Sequence, residues 1–189
     1  MFSFSTIITV KLNVHHGFIY SNIEARDIKG CTPLHVCAVF DQRPTARLLL
    51  KREADLDARD NEGSTPLHLA SAFSDFHMVH LLLQHGASVK SRDSEGGIAL
   101  HTAAALGKTE IVRVLVDAGS DFNTLDDSGN TPLHVSASSG HMKVVRLLLD
   151  NGADLQAVNK EGLTPAGCAK LFGHKEAEQC IEERRCLKI

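Results

Sequence analysis

The sequence predicts an all-α repeat solenoid, made of short helix-turn-helix units that each follow a projecting turn or hairpin finger. Three observations carry the prediction. The tetrapeptide TPLH begins at Thr32, Thr65 and Thr131, so its copies stand 33 residues and then twice 33 residues apart. Turn tetrads of the form D-x-x-G, or N-x-x-G, begin on the same beat at Asp27, Asp60, Asp93, Asp126 and Asn159. Apolar triplets keep that register at Leu48 to Leu50, Leu81 to Leu83, Val114 to Val116 and Leu147 to Leu149. A period of this length marks one supersecondary unit that buries its apolar faces by stacking against copies of itself.

The chain divides accordingly. Residues 1–21 form a non-repeat leader, and residues 22–189 a repeat domain with units at 27–59, 60–92, 93–125 and 126–158 and a C-terminal cap at 159–189. The leader, MFSFSTIITVKLNVHHGFIYS, lacks the early positive charge and unbroken apolar core of a secretory signal. Its run from Phe2 to Val10 is too short to span a bilayer, and the alternation of Val10, Leu12 and Val14 suggests a strand. It is either a lid over the outer apolar face of the first unit or the accident of a truncated reading frame.

Within a unit, the acid of D-x-x-G can bond the turn backbone while glycine closes the turn. Thr-Pro then starts the first helix, because threonine caps and proline suits the first helical position, where no donor is missed. Pro132 to Ser139 is one such helix. A turn follows at Gly107, Gly140 and Gly173, with Asp41 and Ser74 in the other units. The second helix carries the apolar triplet and ends at Gly86, Gly119 or Gly152, where a left-handed residue is expected. Glu53 replaces that glycine in the first unit, so its helix end is expected to be strained. Unit three reads Gly97-Ile98-Ala99-Leu100-His101, without Thr-Pro, and predicts a looser helix start. The last unit replaces the triplet with Cys180-Ile181-Glu182 amid Glu176, Glu178, Glu183, Arg184 and Arg185, a polar cap and an expected true end.

The stretch from Asp126 to Asp154 shows the pattern best: D-x-x-G-x-TPLH-x-A, then G-H-x-x-V-V-x-LLL-x-x-GAD. It resembles the ankyrin repeat, whose period is 33 residues and whose core is TPLHxA. The resemblance extends over roughly residues 22–189. It implies β-turn fingers followed by paired helices, stacked into a solenoid that binds protein partners without catalysing a reaction. It also implies that the recurring histidines bond turn and threonine groups inside the scaffold.

The residues themselves give little chemistry to set against that. A composition 43% hydrophobic and 23% charged, with net charge −3, fits a folded chain and gives no reason to expect nucleic acid. Five cysteines without close pairing read as reduced thiols, in a cytoplasmic or nuclear setting. His35, His68, His101 and His134 recur at one position. Helices packed 8–10 Å apart would hold equivalent histidines too far from each other for zinc–nitrogen bonds near 2.1 Å. No phosphate loop or H-E-x-x-H motif occurs. No catalytic residue, metal, cofactor, small-molecule substrate or membrane contact is expected, and the chain is expected to be a monomer.

Function must then lie in what varies. The last position of the first helix reads Phe40, Phe73, Leu106, Ser139 and Phe172. The resemblance implies that this position faces the groove, so Phe40, Phe73 and Leu106 would form an apolar stripe for a partner. The fingers are acidic: Glu53 to Glu62 holds five acids and one arginine. Asp60, Asn61, Glu62, Ser94, Glu95, Asp127 and Ser128 are the expected finger contacts, and a basic partner segment suits their charge. Asn123, in Gly-Ser-Asp-Phe-Asn, resembles a finger asparagine that some family members present to an asparagine hydroxylase; its other reading is a structural turn residue. The leading expectation is a protein-interaction scaffold or adaptor. The alternative is a regulatory or targeting segment of a larger multidomain protein.

Overall fold

In a computed structural model the described residues are 22–186. The leader, with its predicted strand and lid, lies outside them, as do residues 187–189. The chain separates into two compact parts, one ending at Asp93 and the other starting at Ser94. The first part holds α1 (Pro33–Val39), α2 (Arg43–Leu50), α3 (Pro66–Phe73) and α4 (Phe76–Gln84). The second holds α5 (Ala99–Ala105), α6 (Thr109–Asp117), α7 (Pro132–Ser138), α8 (Met142–Asp150), α9 (Pro165–Leu171) and α10 (Lys175–Cys186). No strand occurs among the described residues. The expected all-α repeat architecture is found.

In both parts first helices pack on first helices, and second helices on second. α1 lies against α3, and α5 against α7 against α9; α2 meets α4, and α6 meets α8, which meets α10. Small residues make the first of these rows possible. Cys37, Ala70, Ala103, Ser136 and Ala169 occupy one register position, and each is fully buried. The leucines of the repeat motif, Leu34, Leu67, Leu100 and Leu133, are likewise wholly buried. Truncating one of them to alanine would cost about 2–5 kcal/mol.

The fingers are turns locked by their own acid. Asp27 Oδ1 accepts from the N–H groups of Lys29 and Cys31 at 2.8 and 2.9 Å. Asp60, Asp126 and Asn159 repeat the arrangement in their own turns. The closing glycines Gly30, Gly63, Gly96, Gly129 and Gly162 all have positive φ. Successive fingers are then joined by backbone bonds. Asn61 N–H donates to the Lys29 carbonyl at 2.9 Å in the first part. Asp127 N–H donates to Glu95, and Lys160 N–H to Ser128, in the second.

The histidines bridge the units. His35 Nδ1 accepts the Thr32 N–H at 3.1 Å, which leaves Nε2 to carry the proton and donate to the Ser64 carbonyl at 3.0 Å. His134 does the same between Thr131 and the Leu163 carbonyl. His101 keeps both bonds, to the Ile98 N–H and the Asn130 carbonyl, although Ile98 offers no hydroxyl. Thr131 and Thr164 hydroxyls cap their helices by accepting backbone N–H groups, as expected. At Thr32, Thr65 and Thr131 the hydroxyl also meets the histidine Nδ1 at 2.9 Å.

Burial holds the His35 and His134 imidazoles below the ordinary histidine value of 6.5. As pH falls through that value the unfolded chain takes up protons before the folded one does. Stability from these groups is therefore complete above about 6.5 and is lost as pH falls toward the depressed folded values. Urea denaturation should show a lower midpoint at pH 5.5 than at pH 7.5, and the drop should shrink when both histidines are replaced by glutamine.

Among the described residues two non-glycines adopt left-handed backbone, both in the first repeat: Asp41 at φ 51° and Glu53 at φ 63°. Glu53 is the helix end at which strain was expected. Asp41 takes the place that Gly107 and Gly140 hold in other units. A Cβ on Gly107 would come within 2.6 Å of His141 Nδ1, and one on Gly140 within 2.5 Å of His174 Nδ1. The residue aligned with those histidines in the unit after Asp41 is Asp75, a smaller side chain. Asp41 Oδ1 is buried without a hydrogen-bond partner among the described residues, and burial, with Asp75 adding, raises its pKa against the opposing pull of Arg43 and His77. Asp41→Gly should stabilise the protein by about 1 kcal/mol, whereas Gly140→Ala should destabilise it by at least that amount, both measured by urea titration.

Unit three tests the Thr-Pro start from the other side. Ile98 has extended backbone, φ −104° and ψ 166°, the conformation that precedes a proline without strain. Ala99→Pro should therefore raise stability by about 0.5–1 kcal/mol and slow amide exchange in α5.

Candidate binding groove

The stripe position sits at the C-terminal end of each first helix, past its buried face. Phe40 and Phe73 are 40% and 58% exposed in the first part. Leu106 and Phe172 are exposed in the second, as is Ser139. Each helix end is pinned from the backbone; the Phe40 N–H, for example, donates to the Val36 carbonyl at 3.1 Å. The following unit also helps to hold it. Ser74 Oγ donates to the Ala38 carbonyl, and His141 Nε2 bonds the Ala105 carbonyl at 2.9 Å. These bonds satisfy carbonyls that a helix end leaves without partners.

The finger residues fall into two kinds. Asp60 is half-buried, its Oδ1 committed to the Glu62 and Ser64 N–H groups. Asn61 is exposed but tied backwards, its Nδ2 donating to the Ile28 carbonyl at 3.1 Å. Glu62 is exposed beside them, and in the second part Ser94, Glu95, Asp127 and Ser128 are exposed too. Asp60 and Asn61 thus build the finger, while Glu62 offers a carboxylate at its surface.

In the first part the structure brings stripe and finger together. A pocket of about 480 Å³ lies between the first two fingers and α3. Its finger side carries Ile28, Lys29, Cys31 and Asn61, with the acids Asp60 and Glu62. Leu69 and Phe73 form its helix side. The Cys31 thiol is raised to about 11, first by burial and then by the carboxylates of Asp27 and Asp60, with Lys29 opposing and Glu62 adding. Such a thiol is protonated at neutral pH and is not a nucleophile.

Asn123 is exposed, and its side-chain oxygen accepts the Asp154 N–H of the next finger at 2.8 Å. Asp57 does the same for the Ser88 N–H, and Glu24 for the Asp55 N–H. These residues occupy one register position whose work is to join neighbouring fingers.

Three contributors escaped the sequence reading. Phe76, 42% exposed at the start of α4, stacks on His77 with ring centroids 4.0 Å apart. Ile28, 87% exposed, occupies the fingertip position that is polar in every other unit. Leu171 adds an exposed apolar side chain beside Phe172. Departure from the repeat was the available signal: the positions aligned with Phe76 are Arg43, Thr109, Met142 and Lys175.

The family model described as ankyrin repeats (3 copies) matches residues 7–93, 78–159 and 100–183. Its first match begins upstream of residue 22, within the leader. No curated protein matches the chain. Ankyrin repeats are generally non-catalytic protein–protein interaction modules. The matched segments extend over nearly the whole chain, and they coincide with the turn fingers, Thr-Pro helix starts and bridging histidines described above. The chain belongs to the ankyrin-repeat family.

Proposed function

We propose that this protein is a non-catalytic interaction scaffold or adaptor that holds a partner protein in the groove between its fingers and the ends of its first helices. The observation that carries this reading is the pocket at Phe73 and Glu62, where an exposed apolar side chain and an exposed acid meet on a rigid frame. Large apolar side chains repeated at one exposed register position are what an interaction surface needs and what a solvated face avoids. The frame costs a partner little, because the fingers and helix ends are already fixed by the bonds of Asp60, Asn61 and Ser74.

A reducing setting, cytoplasmic or nuclear, suits the free thiols of Cys31, Cys37 and Cys168, each buried and raised in pKa mainly by burial. No helix among the described residues is long and apolar enough to cross a membrane.

The reading is tested with the full chain and a variant carrying Phe40→Glu, Phe73→Glu and Leu106→Glu. Circular dichroism should show both folded with matching melting curves, since all three sites are exposed. Partner capture from cell extract should be lost in the variant. Equal capture by both chains would place binding away from the stripe.

A further inference from the structure

The pocket at the first two fingers has two chemically distinct walls. Its helix wall is apolar, with Leu69 and the half-exposed Phe73, and Ile28 stands exposed at the fingertip opposite. Its remaining wall carries Asp60 and Glu62 against the single cation Lys29. The surrounding segment, Glu53 to Glu62, holds five acids and one arginine. Cys31 also lines the pocket, its thiol pushed up first by burial and then by the carboxylates of Asp27, Asp60 and Glu62 against the opposing Lys29.

Few side chains match both walls at once. Lysine and arginine do, because each lays an apolar stem along hydrophobic surface while the charged head reaches a polar rim. Arginine fits better. Its planar guanidinium is more weakly hydrated than an ammonium, pairs with a carboxylate and stacks on an aromatic face. The volume of about 480 Å³ falls within the range of sites that enclose a small ligand or side chain, about 300–1,000 Å³. A backbone bond from the Asn61 N–H to the Lys29 carbonyl joins the two fingers that make up the acidic wall. From these features we infer that the pocket is a receptor for an arginine side chain of the partner, presented by an extended segment with apolar residues beside it. The inference rests on the groove reading above and specifies the partner's chemistry.

Short peptides test it against the intact chain. A fluorescein-labelled hexapeptide alternating arginine and leucine is compared with lysine–leucine, serine–leucine and glutamate–leucine versions by fluorescence anisotropy and by amide shifts in a labelled protein. The arginine peptide should bind best, with shifts centred on Ile28, Lys29 and Phe73, and should weaken as salt rises. Glu62→Lys should weaken it roughly tenfold. Asp117→Lys, the same charge change at an exposed position on α6 in the other compact part, should leave it within about twofold.

Each contrary outcome has its own meaning. If all four peptides bind alike and Phe73→Glu abolishes binding, the arginine preference is wrong while the groove stands. If Asp117→Lys weakens binding as much as Glu62→Lys, the attraction is only overall charge. Shifts away from Ile28 and Phe73, or no binding by the arginine peptide, would overturn the assignment outright. The partner-capture experiment judges the groove separately.

Discussion

Everything else in this structure depends on a neutral imidazole shared between neighbouring repeats. The ring must accept at Nδ1 from the start of its own helix and donate from Nε2 to the carbonyl that precedes the next helix. An imidazolium could not accept at Nδ1, whereas the neutral ring accepts at one nitrogen and donates from the other. The bond joins a helix N-terminus to a finger one unit away, so it fixes pitch and register together. Burial keeps the ring neutral, and the bonds satisfy the polar groups that burial would otherwise strand. Chemistry that resembles a ligand set at the level of letters is thereby consumed in construction.

With the frame so determined, freedom is left only at positions the frame does not use. The end of each first helix and the tip of each finger are such positions, and there the chain departs from its own repeat. Ile28, Phe40, Phe73 and Phe76 are all exposed and all lie in the first compact part. Asp60 shows the opposite case. Its position reads aspartate in four units and asparagine in the fifth, because its side-chain oxygen is required by its own turn.

The fold was legible because repetition multiplies weak signals. One Thr-Pro or one D-x-x-G is a common dipeptide or turn; four of the first and five turn tetrads in register are a solenoid, and the helices at Pro33, Pro66, Pro132 and Pro165 begin where Thr-Pro places them. Exposure of Phe40, Phe73 and Leu106 followed from the ankyrin resemblance at a shared register position. The pocket was not. It needs the distance between a finger and a helix end of the next unit, and no period in the sequence encodes that distance. Nor could the letters divide Asp60 from Glu62, since both are acids two residues apart. Only the direction of their oxygens, one into its own turn and one outward, separates scaffold from surface. Asn123 belongs to the same class, for its amide oxygen serves the next finger.

Strain falls in the same repeat as the exposed apolar residues Ile28 and Phe40. Both left-handed non-glycine residues, Asp41 and Glu53, lie in the first repeat, and Asp41 directly follows Phe40. In a stacked array stability is a sum of unit and nearest-neighbour terms, so a strained unit lowers local stability without unfolding the rest. The first two fingers also carry the pocket. A partner that binds only the folded groove adds its own free energy to this unit by mass action. Glycine at either strained position would supply stability without a partner, and the chain carries aspartate and glutamate there instead. Asp41 pairs with Arg43 at 3.2 Å, so its charge is answered within the first repeat, and what it costs there is backbone strain.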